Sequence, residues 1–305
     1  MYFKNYLSLV KFSHTIFAMP FAMIGFFLAF TTSPTIFNQS NLNISIVWEK
    51  VMVFYNPEFW KLLLLVVLCM ISARSAAMAF NRWLDKNFDA KNPRTAIREI
   101  PSGIIAANHA LRFVIFNCIV FIVLTWFINP ICFFLSPVAI FIILFYSYTK
   151  RFTPLCHLVL GLGLSLAPIG AYLAVTGRFD ILPVMFSFIV LFWVSGFDII
   201  YALQDVDFDQ SENLYSIPAV LGKKNALRIS EWLHFMAAII VIVAGYTASF
   251  GLFYWIGVII FCSMLIYQHT LVKPDDLRRV NLAFMTANGI ASVVFAVLVI
   301  VDLLV

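Results

Sequence analysis

Fifteen Asp and Glu residues are spread over 305 positions, and four of the aspartates fall at matching four-residue steps in two separate places. The first cluster reads Asn81, Asp85 and Asp89. The second reads Asp205 and Asp209, with Asp198 and Tyr201 just upstream. Each follows an apolar run long enough to cross a bilayer. Carboxylates beside a membrane are costly unless they hold a cation or face water. Paired carboxylates at two such mouths therefore point to a divalent-cation site.

Helical spacing sharpens that reading. With a turn of about 100° per residue, Asp85 lies about 40° round from Asn81, Asp89 about 80° and Arg74 about 20°. Asp198, Tyr201 and Asp209 lie within about 40° of Asp205, whereas Asp207 turns away. Magnesium takes hard oxygen ligands, usually one or two carboxylates with substrate phosphates and water. Two carboxylates on each of two facing helices suit Mg²⁺ ions bridging a diphosphate. Basic partners follow: Lys91, Arg94 and Arg98 after the first cluster, and the Lys150-Arg151 pair after the fourth predicted span. A guanidinium fork holds phosphate oxygens well. Tyr146 lies four residues before Lys150, on the same helical face. Arg74 and Asp198 lie about two turns deeper than their clusters. They are expected either to pair across a cavity or to touch a second substrate.

The elements that carry these residues are membrane spans. The chain is 63% hydrophobic and 11% charged, with mean hydropathy +0.96, which excludes a soluble globular domain. The short alternating segments of a β-barrel are missing. Nine helices are predicted, near 12–31, 60–81, 110–128, 131–149, 155–176, 182–204, 229–249, 252–271 and 281–304. The expected fold is an all-α polytopic bundle around a central cavity open to the cytoplasmic side, with residues 1–305 as one integral-membrane domain. Of the 20 Lys and Arg, all but four lie in loops on one side; Lys50, Lys61 and Arg178 lie on the other, and Arg74 is inside the second span. That bias puts the N-terminus in the cytoplasm and the C-terminus outside, in a membrane of the bacterial inner type. Lys4 and Lys11 precede an apolar run with no A-x-A-like site, so the first span is expected to be retained.

Other motifs are weaker. Asp85 to Asp89 and Asp205 to Asp209 form a short internal repeat, each followed by an Ile-Pro, at Ile100-Pro101 and Ile217-Pro218. The five cysteines form no C-x-x-C pair and read as small packed side chains. The five histidines are scattered and read as packed or interfacial; His14 is the one singled out for test. Gly222-Lys223-Lys224 lacks the upstream glycine of a P-loop. Gly161-Leu-Gly163 reads as a close helix contact. The basic loops lack interleaved base-stacking aromatics, so no nucleic-acid partner is expected.

With those residues in view, the chain resembles the UbiA superfamily of intramembrane prenyltransferases. Residues 78–103 are similar to the family's first aspartate motif and its loop, residues 198–218 to the second, and residues 146–151, YSYTKR, to its Tyr-x3-Lys motif. The wording is nearest the 4-hydroxybenzoate polyprenyltransferase-like branch, which includes enzymes that prenylate a dihydroxynaphthoate in the futalosine route to menaquinone. The resemblance implies that Asn81, Asp85 and Asp89 bind Mg²⁺ and diphosphate, with Asp205 and Asp209 opposite. It implies diphosphate contacts from Lys150, Arg94 and Arg98, and Tyr146 beside the allylic carbon; Lys91 and Arg151 belong to the same basic set. Many members carry Asp after the motif asparagine, where this chain has Arg82. That position turns off the shared face, so the ligand set survives.

The expected reaction transfers a polyprenyl group from polyprenyl diphosphate to a hydroxylated aromatic acid, 4-hydroxybenzoate or a dihydroxynaphthoate, in ubiquinone or menaquinone biosynthesis. The partners are then the diphosphate, the aromatic acceptor and the lipid bilayer. A tocopherol-type or porphyrin precursor is an alternative acceptor. A secondary transporter is a rival of another class, since intramembrane charges and a weak repeat are transporter traits. Its site is expected at the midplane, whereas these acids cluster at one rim. A CDP-alcohol phosphotransferase needs a compact D-x2-D-G-x2-A-R pattern that this chain lacks. A non-catalytic prenyl-binding scaffold does not need all four carboxylates.

Overall fold

A computed structural model describes residues 2–10, 17–32 and 53–305. His14, Lys11 and Lys50 lie outside the described residues, as does the start of the first predicted span. The helices are α1 (Tyr2–Leu9), α2 (Met19–Thr32), α3 (Pro57–Leu84), α4 (Lys86–Lys91), α5 (Ala107–Trp126), α6 (Pro130–Thr149), α7 (Cys156–Thr176), α8 (Ile181–Ala202), α9 (Val206–Ser211), α10 (Ile217–Thr247), α11 (Leu252–Leu271) and α12 (Asn288–Leu304). Among the described residues, eight helices are long and apolar enough to cross a membrane, and α2 is a shorter apolar one. This matches the predicted all-α bundle, with a helix count near the nine expected.

Helix α8 sits at the centre. Phe186, Ile189, Val190, Trp193 and Val194 are fully buried against α2, α10, α11 and α12. The Trp193 indole donates to Asn288 Oδ1 at 2.9 Å. Asn288 in turn donates to the carbonyls of Ala283 and Phe284, 3.1 Å each. A π-helical turn, Leu282–Ala287, leads into α12 there. Such a turn leaves backbone groups misaligned inside the membrane, and the buried Asn288 amide satisfies two of them. It is why the last predicted helix, 281–304, is divided at Asn288.

The loops sort to two ends. At one end Tyr215 N–H donates to the Lys150 carbonyl at 2.7 Å, and Ile200, Ile217, Leu227, Leu271 and Val272 pack together. At the other, Asn129 caps the carbonyls of Leu173 and Ala174, and Asp302 accepts from the first N–H groups of α11. The acidic clusters and most basic loops share the first end.

Two boundaries differ from expectation. Helix α10 begins at Ile217 rather than near 229, with Ser216 accepting from Ala219 N–H as its cap. Its polar first turns, Gly222-Lys223-Lys224, mimic a loop in sequence. They are broken only at Gly222, whose φ of 78° needs a residue without Cβ. Helix α3 likewise starts earlier, at Pro57, capped by Asn56.

Gly161 lets α7 and α8 close on each other. A Cβ there would stand 2.3 Å from Ser195 Oγ and 2.5 Å from the Leu191 carbonyl. Gly161→Val is expected to destabilise the bundle by about 1–3 kcal/mol through overpacking. Gly170→Ala, with open space around the added carbon, should be neutral. Thermal unfolding of the detergent-solubilised variants checks the contrast.

Candidate active site

Each acidic cluster is built on a broken helix. Asp85 ends α3 with φ −91° and ψ 8°, and α4 restarts at Lys86. Asp205 closes a short 3₁₀ turn, Leu203–Asp205, with φ −105° and ψ 4°, and α9 restarts at Val206. Both residues occupy the sparsely populated bridge region, where active-site residues are enriched. The two halves of the sequence repeat thus share a backbone device. A single straight helix through Asn81, Asp85 and Asp89, as the spacing suggested, is corrected: the chain kinks at the first aspartate of each pair, so the second sits on a separate short helix.

At this rim the carboxylates are matched one to one with cations. Arg151 Nη2 lies 2.9 Å from Asp85 Oδ1. Arg98 Nη1 reaches both oxygens of Asp89, at 2.7 and 2.9 Å. Arg94 grips Asp205 through Nε at 3.0 Å and Nη2 at 2.5 Å. Lys150 Nζ lies 2.6 Å from Asp209 Oδ1, and Ser216 Oγ donates to the other oxygen at 2.9 Å. Adjacent residues therefore reach opposite clusters, Arg151 to the first and Lys150 to the second. Arg94, from the loop after the first cluster, crosses to the second. Asn92 Nδ2 follows it to Asp205 Oδ1 at 3.3 Å. The two clusters face a common space.

Smaller contacts complete the rim. Asn81 Nδ2 donates to Asp85 Oδ2 at 3.2 Å. Tyr201 accepts from Arg94 Nη1 at 3.2 Å and lies under its guanidinium. Arg151 also lies over the rings of Phe88 and Tyr148. Burial pushes the Asp85 carboxyl above the usual carboxylate range, and Arg151 draws part of that back. Burial opposes the charge on Lys150, but the Asp209 carboxylate overrides it and leaves the ammonium raised. Lys91 stands apart from this set: it is mostly exposed and pairs with Glu212 at 2.6 Å. Asp207 is exposed, as its helical angle implied.

Below the rim an apolar cavity of about 360 Å³ runs between α3, α5, α6 and α7. Small residues on α3 and α7, among them Ala73, Ala77, Gly163 and Gly170, open it. Arg74 and Tyr146 are its polar wall. Tyr146 lines the cavity and lies on α6 four residues before Lys150, so it joins the rim to the cavity. Arg74 and Asp198 do not pair with each other, so the first of the two expectations, an ion pair across the cavity, is not met. Asp198 is instead 2.6 Å from His157 Nδ1. Among the described residues, Arg74 Nε is buried without a hydrogen-bond partner.

Sequence reading missed His157, Glu99 and Ser8 here. His157 was one of several scattered histidines, and only the fold brings α7 against Asp198. Arg82 and Glu99 form a buried ion pair at 2.5 Å, and Ser8 from α1 donates to the same carboxylate at 2.5 Å. This contact pins the loop that carries Arg94 and Arg98. A ligand-like charge at Arg82 in the motif is thus a structural tie. Removing one member strands the other, so Arg82→Ala is expected to cost about 3–5 kcal/mol of stability. Arg82→Met with Glu99→Leu should recover most of it. Denaturant titration of the two variants tests the difference.

Comparison with known proteins identifies the family. The UbiA prenyltransferase family model matches residues 18–290. A 4-hydroxybenzoate octaprenyltransferase of Aliivibrio fischeri is 29% identical over 238 residues, covering 77% of this chain and 82% of that one. The apo structure of a UbiA homologue from Aeropyrum pernix superposes with TM-score 0.72 at 26% identity, over 94% of this chain and 95% of that one. A UbiA homologue from Archaeoglobus fulgidus, solved with GPP and Mg²⁺, shares the fold at TM-score 0.69 and 17% identity, over 99% of this chain and 100% of that one. The chain belongs to the UbiA prenyltransferase family and is an integral-membrane enzyme.

Proposed function

We propose that this member of the UbiA prenyltransferase family transfers a polyprenyl group from polyprenyl diphosphate to a hydroxylated aromatic acid, with Mg²⁺, in quinone biosynthesis. The observation that carries the reading is the neutral rim of four acid–base pairs above an apolar cavity whose wall holds Arg74, which among the described residues is in no ion pair. The rim suits a metal-bound diphosphate, the cavity a hydrocarbon tail, and Arg74 an anionic group on the acceptor.

The donor set fits magnesium. Asn81, Asp85, Asp89, Asp205 and Asp209 offer only hard oxygens. Among the described residues no three His, Cys, Asp or Glu side chains converge into a ready cage. That suits an ion that binds through one or two carboxylates and completes its shell with substrate phosphate and water. When bound, Mg²⁺ supplies Lewis-acid neutralisation of the diphosphate.

The chain's own residues do the rest. Each rim pair is an acid and a base that can separate, the carboxylate toward metal and the guanidinium or ammonium toward phosphate oxygen. Arg94, Arg98, Lys150 and Arg151 then stabilise the leaving diphosphate as its charge grows. Its allylic C–O bond ionises, and the cation forms beside Tyr146 in a cavity that excludes water. The electron-rich ring attacks, and loss of a ring proton restores aromaticity. The Arg74 guanidinium favours an acceptor that carries a carboxylate, such as 4-hydroxybenzoate or a dihydroxynaphthoate, over a neutral one. Ubiquinone and menaquinone routes both use such acids. The basic rim belongs at the cytoplasmic face of a bacterial inner membrane, with the N-terminus inside and the C-terminus outside.

Membranes containing the protein, incubated with Mg²⁺, a labelled polyprenyl diphosphate and a panel of acceptors, should yield a prenylated aromatic acid identified by mass. Asp85→Asn and Asp205→Asn should each lower turnover by about 100-fold or more, the scale of losing one preorganised charge contact, while the bundle stays folded. Normal turnover in either variant removes the metal–diphosphate assignment.

A further inference from the structure

Three of the rim acids are held twice, once by a cation and once by an uncharged donor. Asp85 takes Arg151 on Oδ1 and Asn81 Nδ2 on Oδ2. Asp209 takes Lys150 on Oδ1 and the Ser216 hydroxyl on Oδ2, at 2.9 Å. Asp205 takes Arg94 on both oxygens and Asn92 Nδ2 on Oδ1, at 3.3 Å. Asn81 already belongs to the donor set for magnesium. Ser216 and Asn92 do not, and both are buried.

Local backbone contacts aim each of these two donors. Ser216 Oγ accepts from Ala219 N–H at 3.3 Å as the cap of α10. A hydroxyl carries one proton beside its acceptor lone pairs, so capping leaves that proton for Asp209. Asn92 Oδ1 accepts from Arg94 N–H at 3.0 Å, closing an Asx turn. The turn leaves Nδ2 for Asp205, and a carboxylate can only accept. The Asn92 carbonyl accepts from Thr95 and Ala96 N–H, at 2.9 and 2.8 Å, which anchors the turn.

The difference between the two kinds of partner matters once phosphate arrives. Charged donors bind an anion about twice as strongly as neutral ones, so Lys150 and Arg94 are drawn to phosphate oxygen. The hydroxyl and the amide are not drawn in the same way. An acid held only by its cation would then be free to rotate. One with a second donor keeps a single oxygen occupied and presents the other. Donors of this kind behind a metal-binding carboxylate orient it.

We propose that Ser216 and Asn92 are positioning residues that stay with Asp209 and Asp205 while Lys150 and Arg94 turn to the diphosphate. They thereby leave Asp209 Oδ1 and Asp205 Oδ2 to face Mg²⁺. The inference rests on the proposed magnesium–diphosphate site and deepens it to the individual oxygens.

The test titrates Mg²⁺ into purified protein in nanodiscs at a fixed level of a non-reactive polyprenyl thiolodiphosphate. Its readout is the half-saturating Mg²⁺ concentration, which a smaller folded fraction does not move. Ser216→Ala and Asn92→Ser should each raise it by about tenfold or more, the scale of losing such a donor. Their affinity for the thiolodiphosphate without Mg²⁺ should stay within about threefold of wild type, since Lys150 and Arg94 are intact. Asn92→Ser keeps an oxygen for the turn but is too short to reach Asp205. Ser216→Thr keeps the hydroxyl and should retain the wild-type value within about twofold. A smaller rise in either of the first two variants overturns the role, as does an equal rise in Ser216→Thr. An equal fall in metal-free affinity also overturns it, because it marks a disordered loop. A wild type that binds the thiolodiphosphate without regard to Mg²⁺ overturns the parent reading, and this inference with it.

Discussion

Charge balance at a membrane rim is the constraint on which this structure depends. Four carboxylates stand where the bundle meets water, and each has one basic partner, so the rim is neutral before any ligand arrives. Burying an unmatched charge there would cost several kcal/mol, on the order of the penalty for stranding one half of an ion pair. The arrangement also makes exchange feasible. A magnesium-bound diphosphate brings positive and negative groups together, and each can replace one half of a pair without leaving net charge behind.

The backbone serves that balance. Both clusters turn at their first aspartate, at nearly the same φ and ψ, which separates each pair onto two short elements. The Lys150-Arg151 dipeptide then spans the gap, one residue to each cluster. The long loop after α4 is held both by the Arg82, Glu99 and Ser8 contacts and by Ile100 and Ile105, which are buried beside Leu9, Ala76 and Ala110. Its thread of buried polar contacts lets Arg94 reach across to Asp205. Beneath the rim the cavity is mostly apolar, and among the described residues Tyr146 and Arg74 bring polar groups into its wall, as do Thr125 and Ser136.

Much of this was legible in the sequence, for a physical reason. In a chain with so few charges, an acid that persists in or beside a span must have a partner, so scarcity itself marked Asp85, Asp89, Asp205 and Asp209. Spacing put them on common faces, and the apolar runs gave the helical membrane bundle. Periodicity could not show the breaks at Asp85 and Asp205, because a kink of one residue leaves the four-residue step intact. Nor could it show His157, whose partner Asp198 is 41 positions away, or Glu99, whose role depends on a loop returning to Arg82. The polar opening of α10 read as a loop because Ser216 capping and the Gly222 kink leave no apolar signature.

The central claim is that rim acids and bases separate together, to hold metal and diphosphate as one ligand. The direct measurement is calorimetric titration of the purified protein with a non-reactive polyprenyl thiolodiphosphate, with and without Mg²⁺. The account expects reciprocal coupling, each component raising the affinity of the other by the same factor, about tenfold or more. Equal affinity for the thiolodiphosphate in the presence and absence of Mg²⁺ would contradict it.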